Sequence, residues 1–388
     1  MKIILSAGGR FHAYHLAQEL LRHNALQQLY TFSYTPEDQQ SIPSAFVANN
    51  TICQTADYIF TKLRLARIIN RTGYNRIKDN YFDSFVAKKL ALQPPADLFI
   101  GWANYTEKTM AIARSKGAKI IIESGSCHIK VQHNLIKHEY DRWGLTTPAV
   151  AKETKEKMLR EYSQADYIMT PSHFVRDSFI QQGISPQKLL LAPYGTDTSF
   201  FSPATTMQKE FIVLFVGMVC LRKGLVYLLL AWHKLLIPHG NIKLIIAGQI
   251  QKDFSDIQNK LPINSNITFT GGLSADAIKM LYKQASVFVL PSVEEGFGMV
   301  INEAMASGLP VIASTHSGGP ERITHGKTGF LYNPYNVDEL ARLITWCYNN
   351  RQETYQMGLA AHKHIQTCTW QAYGDQVYKI YQKALGHE

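Results

Sequence analysis

The stretch SVFVLPSVEEGFGMVINEAMASGLPVIAS, residues 286–314, decides the fold. It opens and closes on short, unbroken apolar runs, the pattern of strands buried on both faces of a parallel sheet. Between them lie Glu294 and Glu295, a Gly-Phe-Gly turn and a segment from Met299 whose apolar residues recur at helical spacing. Strand, turn, helix and parallel strand is the repeating unit of a doubly wound α/β domain. Core packing requires neither the paired acids nor Glu303 on the helix.

The same grammar extends outward in both directions. Upstream, FIVLFVG, IKLIIAG and NITFTGG are further strand candidates, each followed by a helix-like segment. Before FFSP an earlier series runs KIILSAG, DLFIGW, KIIIES, DYIMTPS and KLLLAPYG. A chain of 388 residues is long for one core, and two series imply two doubly wound domains joined near residues 200–203. We expect a first domain over 1–201, a second over 202–368, and a C-terminal helix over 369–388 that packs back on the first.

Bulk composition narrows the function classes. The net charge of +10 suits an acidic ligand, a phosphate-rich polymer or an anionic membrane surface. No apolar run reaches the roughly 18–20 residues of a membrane span. The run in MKIILSAGG reads as a buried strand and is too short for a signal peptide. Five cysteines with no C-x-x-C pair argue for a reducing, cytoplasmic setting and against a zinc or disulfide framework.

Ligands of doubly wound sheets sit at the carboxyl ends of the strands. The turn SAGGRFH after the first strand places Gly8 and Gly9 there, for close ligand approach or simply for turn geometry. It lacks the G-x-G-x-x-G spacing, and HGKTG is no P-loop because Glu321 stands where that motif needs glycine. The turn in EEGFGMVINEA is more informative. Gly296 and Gly298 lead into a helix whose first amides and dipole form a ready phosphate site. Glu303, one turn in, leans back toward that site, where a carboxylate suits hydroxyls such as those of a ribose. A capping role for Glu295 and a surface pair for Glu303 would be the structural reading of either alone.

EGFGMVINE resembles the E-x7-E signature of the retaining GT-B glycosyltransferases of group 1 (family 4), with Glu295 and Glu303 at its ends. LFVGMVCLRKGLVYLLLAW, PYGTD and SGGPERITHGKTGFLYNP resemble the same family, in the same order. The resemblance implies a GT-B fold, two Rossmann-like domains facing each other across a cleft, with a sugar-nucleotide donor held mainly by the second. It implies that Arg222 and Lys223 bind the diphosphate, Glu303 the ribose, and Glu295 the donor sugar. Backbone of Phe297, Gly298 and Met299 would contact sugar and phosphate, Gly272 and Leu273 would flank the base, and Gly9 would complete the phosphate site. Many members carry Arg where this chain has Met218, which leaves Arg222 as its substitute.

His128, after the strand KIIIES, either touches the donor sugar or acceptor, as the resemblance suggests, or is structural. The family's commonest chemistry implies transfer with retention, no cofactor and no essential metal, to a sugar or lipid-linked acceptor. The cations Lys62, Arg64, Arg67, Arg71, Arg76, Lys78, Lys88 and Lys89 oppose only Asp79 and Asp83 in their segment. That face meets anionic lipid, making the protein peripheral on the inner membrane surface, or is a solvated helical face. The competing functions are a GT-B sugar-nucleotide epimerase and a non-catalytic nucleic-acid binder. No stacking platform or groove-reading helix supports the latter, and no nucleic-acid partner is expected.

Overall fold

A computed structural model describes residues 1–63, 71–148, 150–235 and 242–386. The first sheet comprises β1 (Ile3–Ala7), β2 (Leu26–Thr31), β3 (Val47–Asn49), β4 (Leu98–Trp102), β5 (Lys119–Glu123), β6 (Tyr167–Thr170) and β7 (Leu189–Leu191). The second comprises β8 (Phe211–Val216), β9 (Ile242–Ala247), β10 (Ile267–Gly271), β11 (Val287–Leu290), β12 (Val311–Ser314) and β13 (Gly329–Tyr332). All strand pairs are parallel, in the orders β3-β2-β1-β4-β5-β6-β7 and β10-β9-β8-β11-β12-β13. Both sheets reverse direction of strand order beside their first strand, the point where such sheets leave a crevice for ligands. The architecture is GT-B.

The central strands are where the sequence is most continuously apolar: β1, β4, β8 and β11 are buried at every position. Each fully buried aliphatic side chain there contributes roughly 1.5–3 kcal/mol. Sequence reading omitted β2, β3 and β13. Two glutamines interrupt the apolar run of β2, β3 is three half-buried residues at an edge, and β13 is a four-residue edge strand.

The chain crosses between the two units twice, and the crossings lie side by side. Thr196 and Thr369 form a parallel bridge, with the Thr196 amide donating to the Cys368 carbonyl at 2.9 Å. Gly195 is required there, since a Cβ would stand 2.6 Å from the Thr369 carbonyl oxygen. The final helix, Trp370–Leu385, then packs on helix Ala13–Arg22, adding Tyr373, Val377, Tyr381 and Ala384 to the first sheet's core.

Two carboxylates counted among the charges of residues 62–89 turn inward. Asp79 and Asp83 are buried; Asp83 accepts from the Thr109 amide at 3.0 Å and the Lys108 amide at 2.9 Å, tying down the next helix, Glu107–Ser115. Arg64 and Arg67 of that segment lie outside the described residues, as does the side chain of Arg71. No helix among the described residues is long and apolar enough to cross a membrane.

Candidate functional site

The loop after β8 turns through a single 3-10 turn, Leu221–Lys223, and a left-handed Gly224 (φ 67°) before helix Leu225–His233. Any Cβ at Gly224 would sit 1.9 Å from the Pro291 carbonyl oxygen, so this turn rests directly on the end of β11. The Arg222 carbonyl accepts from the Val293 amide at 3.0 Å, which locks the two loops together. Their side chains therefore meet: Arg222 Nη1 lies 2.9 Å from the Glu294 carbonyl and 3.2 Å from Glu294 Oε2, and Lys223 pairs with Glu295. Burial works against the charge on Arg222, but Glu295 and Glu294 outweigh it and raise its pKa.

Glu294 escaped the sequence reading. Its side chain is 0% exposed, and Oε1 accepts from the Cys127 amide (3.3 Å), Cys127 Sγ (3.2 Å) and Gln132 Nε2 (3.2 Å). It thus joins the first domain to the arginine of the second. Burial and the neighbouring Glu294 charge push the Cys127 thiol upward, keeping it an inert donor.

The turn after Glu295 is equally constrained. At Gly296 a Cβ would lie 1.7 Å from the Gly125 carbonyl oxygen of the first domain, and Ser172 Oγ donates to the Gly296 carbonyl at 2.7 Å. Gly298 takes φ 85° and leads into helix Met299–Ala306. Phe297 between them is buried against Tyr194, with the Arg322 guanidinium 5.1 Å from its ring centre. Glu303 accepts from the Tyr282 hydroxyl at 3.1 Å; burial raises its pKa, with Tyr282 opposing.

A cleft of about 860 Å³ opens between the domains. Arg222, Glu295, Met299 and Glu303 line it from the second domain, and Gly296 closes its floor. Facing them are Phe11, His12, Trp102, Tyr105, Glu123 and Trp370, supplied by the carboxyl ends of β1, β4 and β5 and by the final helix. His15 stacks on Trp370 with ring centres 4.0 Å apart, and burial lowers its pKa to about 4.

Of the remaining residues implicated by the sequence, Lys223 reaches the site through Glu295, and Phe297 and Gly298 form the turn beneath it. Gly9 packs against the Phe11 ring at the first domain's edge of the cleft. Gly272 and Leu273 follow β10, with Gly272 against Gln249, and do not contribute to the cleft wall. His128 sits away from these residues. Its amide donates to Ser178 Oγ at 2.8 Å, its Nδ1 accepts from the Lys130 amide at 3.3 Å, and its ring packs on Tyr162 and Phe179. It caps helix Ile129–Arg142 from inside the core and does not line the cleft. Burial, then Lys130 and Lys155, lower its pKa to about 4.

Residues 197–364, which carry every second-domain element of this site, match the model of the glycosyl transferases group 1. That stretch of the chain is similar to this family. An uncharacterised glycosyltransferase of Methanocaldococcus jannaschii is 34% identical over 195 residues, 50% of this chain and 48% of that one. The sulfoquinovosyl transferase of Arabidopsis thaliana is 31% identical over 223 residues, 54% of this chain and 42% of that one. The chain thus spans about half the length of these curated relatives. Among solved structures, HepE of Anabaena in complex with UDP and glucose superposes with a TM-score of 0.67 at 16% identity, covering 99% of this chain and 100% of that one. Such a likeness carries the fold. Met218 follows Gly217 in this chain, and Arg222 is anchored by Glu294.

Proposed function

We propose that the protein transfers a sugar from a nucleoside-diphosphate sugar to an acceptor hydroxyl, with retention of anomeric configuration and without an essential metal. The observation that carries this reading is the joining of Arg222 and Lys223 to Glu294 and Glu295, with Arg222, Glu295 and Glu303 lining the cleft. Arg222 and Lys223 would bind the pyrophosphate, a doubly charged leaving group suited to a guanidinium and an ammonium side by side. Amides of Phe297, Gly298 and Met299 would add to that charge stabilisation. Glu303, held by Tyr282, would accept from ribose hydroxyls. Glu295 would bond the donor sugar and stabilise positive charge at its anomeric carbon.

In the proposed reaction, the bond from the anomeric carbon to the phosphate oxygen breaks while one to the acceptor oxygen forms on the same face. The acceptor proton passes to the leaving phosphate, and a nucleoside diphosphate is released. The UDP in the HepE structure supports a uridine nucleotide as a first probe. The match of residues 197–364 to the model of the glycosyl transferases group 1 favours transfer over epimerisation. The test is a panel of sugar nucleotides scored by transfer, with product configuration read by proton NMR. Product of inverted configuration, or turnover lost on adding a chelator and restored by magnesium, would overturn the mechanism.

We also infer that the acceptor is presented at an anionic membrane surface. On helix Thr51–Lys62, Ile52 and Ile59 are exposed, and Leu63 continues their stripe just beyond it. Spacings of seven and eleven residues put the three on one face. Lys62 ends the same helix, and Lys88 and Lys89 are exposed in the last turn of helix Arg71–Ala91, cations of the kind anionic headgroups attract. Cosedimentation with phosphatidylglycerol vesicles should exceed that with phosphatidylcholine and fall in Ile59→Glu. Equal binding to both vesicles would remove the membrane from the account.

A further inference from the structure

The two walls of the cleft differ in kind. Among the described residues, Arg222 is the only Lys or Arg lining it, and it belongs to the donor side. Arg10, in the loop after β1, is held away by both oxygens of Asp38 at 2.9 and 2.6 Å. The opposite wall carries aromatic rings and one carboxylate. Glu123 is 1% exposed, and neither of its oxygens accepts a hydrogen bond from a described residue. His12 Nε2 approaches to 3.2 Å, outside hydrogen-bonding geometry. A buried carboxylate in that condition is costly unless something donates to it. Beside it, Phe11 presents 56% of its surface at the cleft mouth, next to Tyr105 at 6.3 Å between ring centres. Phe11 holds φ at 38°, a left-handed conformation that a bulky residue adopts only under constraint.

We propose that this wall is an acceptor subsite for an uncharged sugar ring, with Glu123 accepting from its hydroxyls and Phe11 and Tyr105 covering an apolar face of the ring. The proposal rests on the glycosyl-transfer reading above. A phosphorylated acceptor would meet a carboxylate and neither Lys nor Arg here, whereas a neutral polyol meets acceptors for its hydroxyls and flat surfaces for its C–H groups. Burial lowers the pKa of His15 to about 4, so that ring adds no positive charge to this wall at physiological pH.

A structural alternative exists on the same residue. Tyr194, Tyr373 and Tyr381 surround Glu123, and after burial its charge is what raises their pKa values. A purely anchoring role for Glu123 would show as a lowered Tm in Glu123→Gln with acceptor KM unchanged.

The experiment compares the wild type, Glu123→Gln and Phe11→Ala. Acceptor probes are methyl hexosides and neutral disaccharides against the same sugars carrying a ring phosphate. Readouts are transfer kinetics, UDP affinity by calorimetry and Tm. Neutral acceptors should be used in preference to phosphorylated ones by at least about tenfold. Glu123→Gln should raise acceptor KM by about tenfold with UDP affinity intact. Phe11→Ala should raise it by about threefold to tenfold with Tm unchanged, since its ring is exposed. Phosphorylated sugars accepted as well as neutral ones would overturn the proposal. So would a Glu123→Gln protein with lowered Tm and unchanged acceptor KM, or no transfer to either class while UDP still binds. Failure of the wild type to bind any nucleoside diphosphate would instead sink the transfer reading on which it stands.

Discussion

The second-domain wall of the cleft is made of charges paired with one another, and the first-domain wall is made of rings around a single carboxylate. Arg222, Lys223, Glu294 and Glu295 are mutually paired through two adjacent loops, whereas Glu123 has aromatic neighbours and His12 Nε2 at 3.2 Å, outside hydrogen-bonding geometry. Both walls occupy the same position in the same topology, at the crevice of a doubly wound sheet. The difference teaches that topology supplies the crevice while the loops decide its chemistry: one wall presents paired charges, the other rings and a carboxylate.

The largest effect that would break this contrast is at Arg222. Arg222→Gln should lower kcat by ~10²–10³-fold, the loss typical of removing a donor aimed at developing negative charge. Stopped assays with saturating donor would measure it, and a kcat within error of wild type would mean that Lys223 alone carries the phosphate. Next is Gly296→Ala, which forces a methyl into the Gly125 carbonyl across the domain boundary. We expect ~10²-fold slower turnover from displaced walls, with an enlarged radius of gyration in small-angle scattering. An unchanged radius with full activity would show that the walls need not approach so closely.

Glu303→Gln sharpens the contrast by ligand. It should weaken UDP binding by about tenfold and leave inorganic pyrophosphate binding unaltered, because only the nucleotide carries ribose hydroxyls. Equal weakening of both would place Glu303 on the phosphate. The smallest effect concerns His128. Unfolded histidine takes its proton near 6.5, and the buried ring does so only at about 4. The unfolded state therefore binds more protons between those values, so stability falls as pH drops through that window. His128→Asn should flatten that slope in chemical denaturation while preserving transfer activity. Activity lost without a change in slope would restore His128 to the chemistry.

Legibility in the sequence followed the same division. The second-domain wall lies on one strand-turn-helix and one strand-loop-helix, so its spacing is local and its strands are unbroken apolar runs. Even there, Glu294 was hidden: it lies in a bent loop after β11, and nothing local distinguishes the acid facing Cys127 and Gln132 from the one facing Lys223. The first-domain wall gathers Phe11, Trp102, Glu123 and Trp370 from the whole length of the chain. No spacing rule links them, and only folding makes them neighbours. His128 misled for a related reason. It does follow a strand, but its ring fills a gap between Tyr162 and Phe179 that the sequence gives no means of seeing. Asp79 and Asp83 likewise read as moderating a cationic surface and prove to be interior.

The paired crossings at Thr196 and Thr369 bear on how these walls can move. Covalent connections that run abreast through one bridge act as a spine, and the halves of the molecule can swing about it more easily than they can slide. The contacts farthest from that line must then part first and travel farthest. A single cross-link from residue 132 to residue 294, far from the spine in sequence and across the gap, should shut the covers and trap whatever was bound between them.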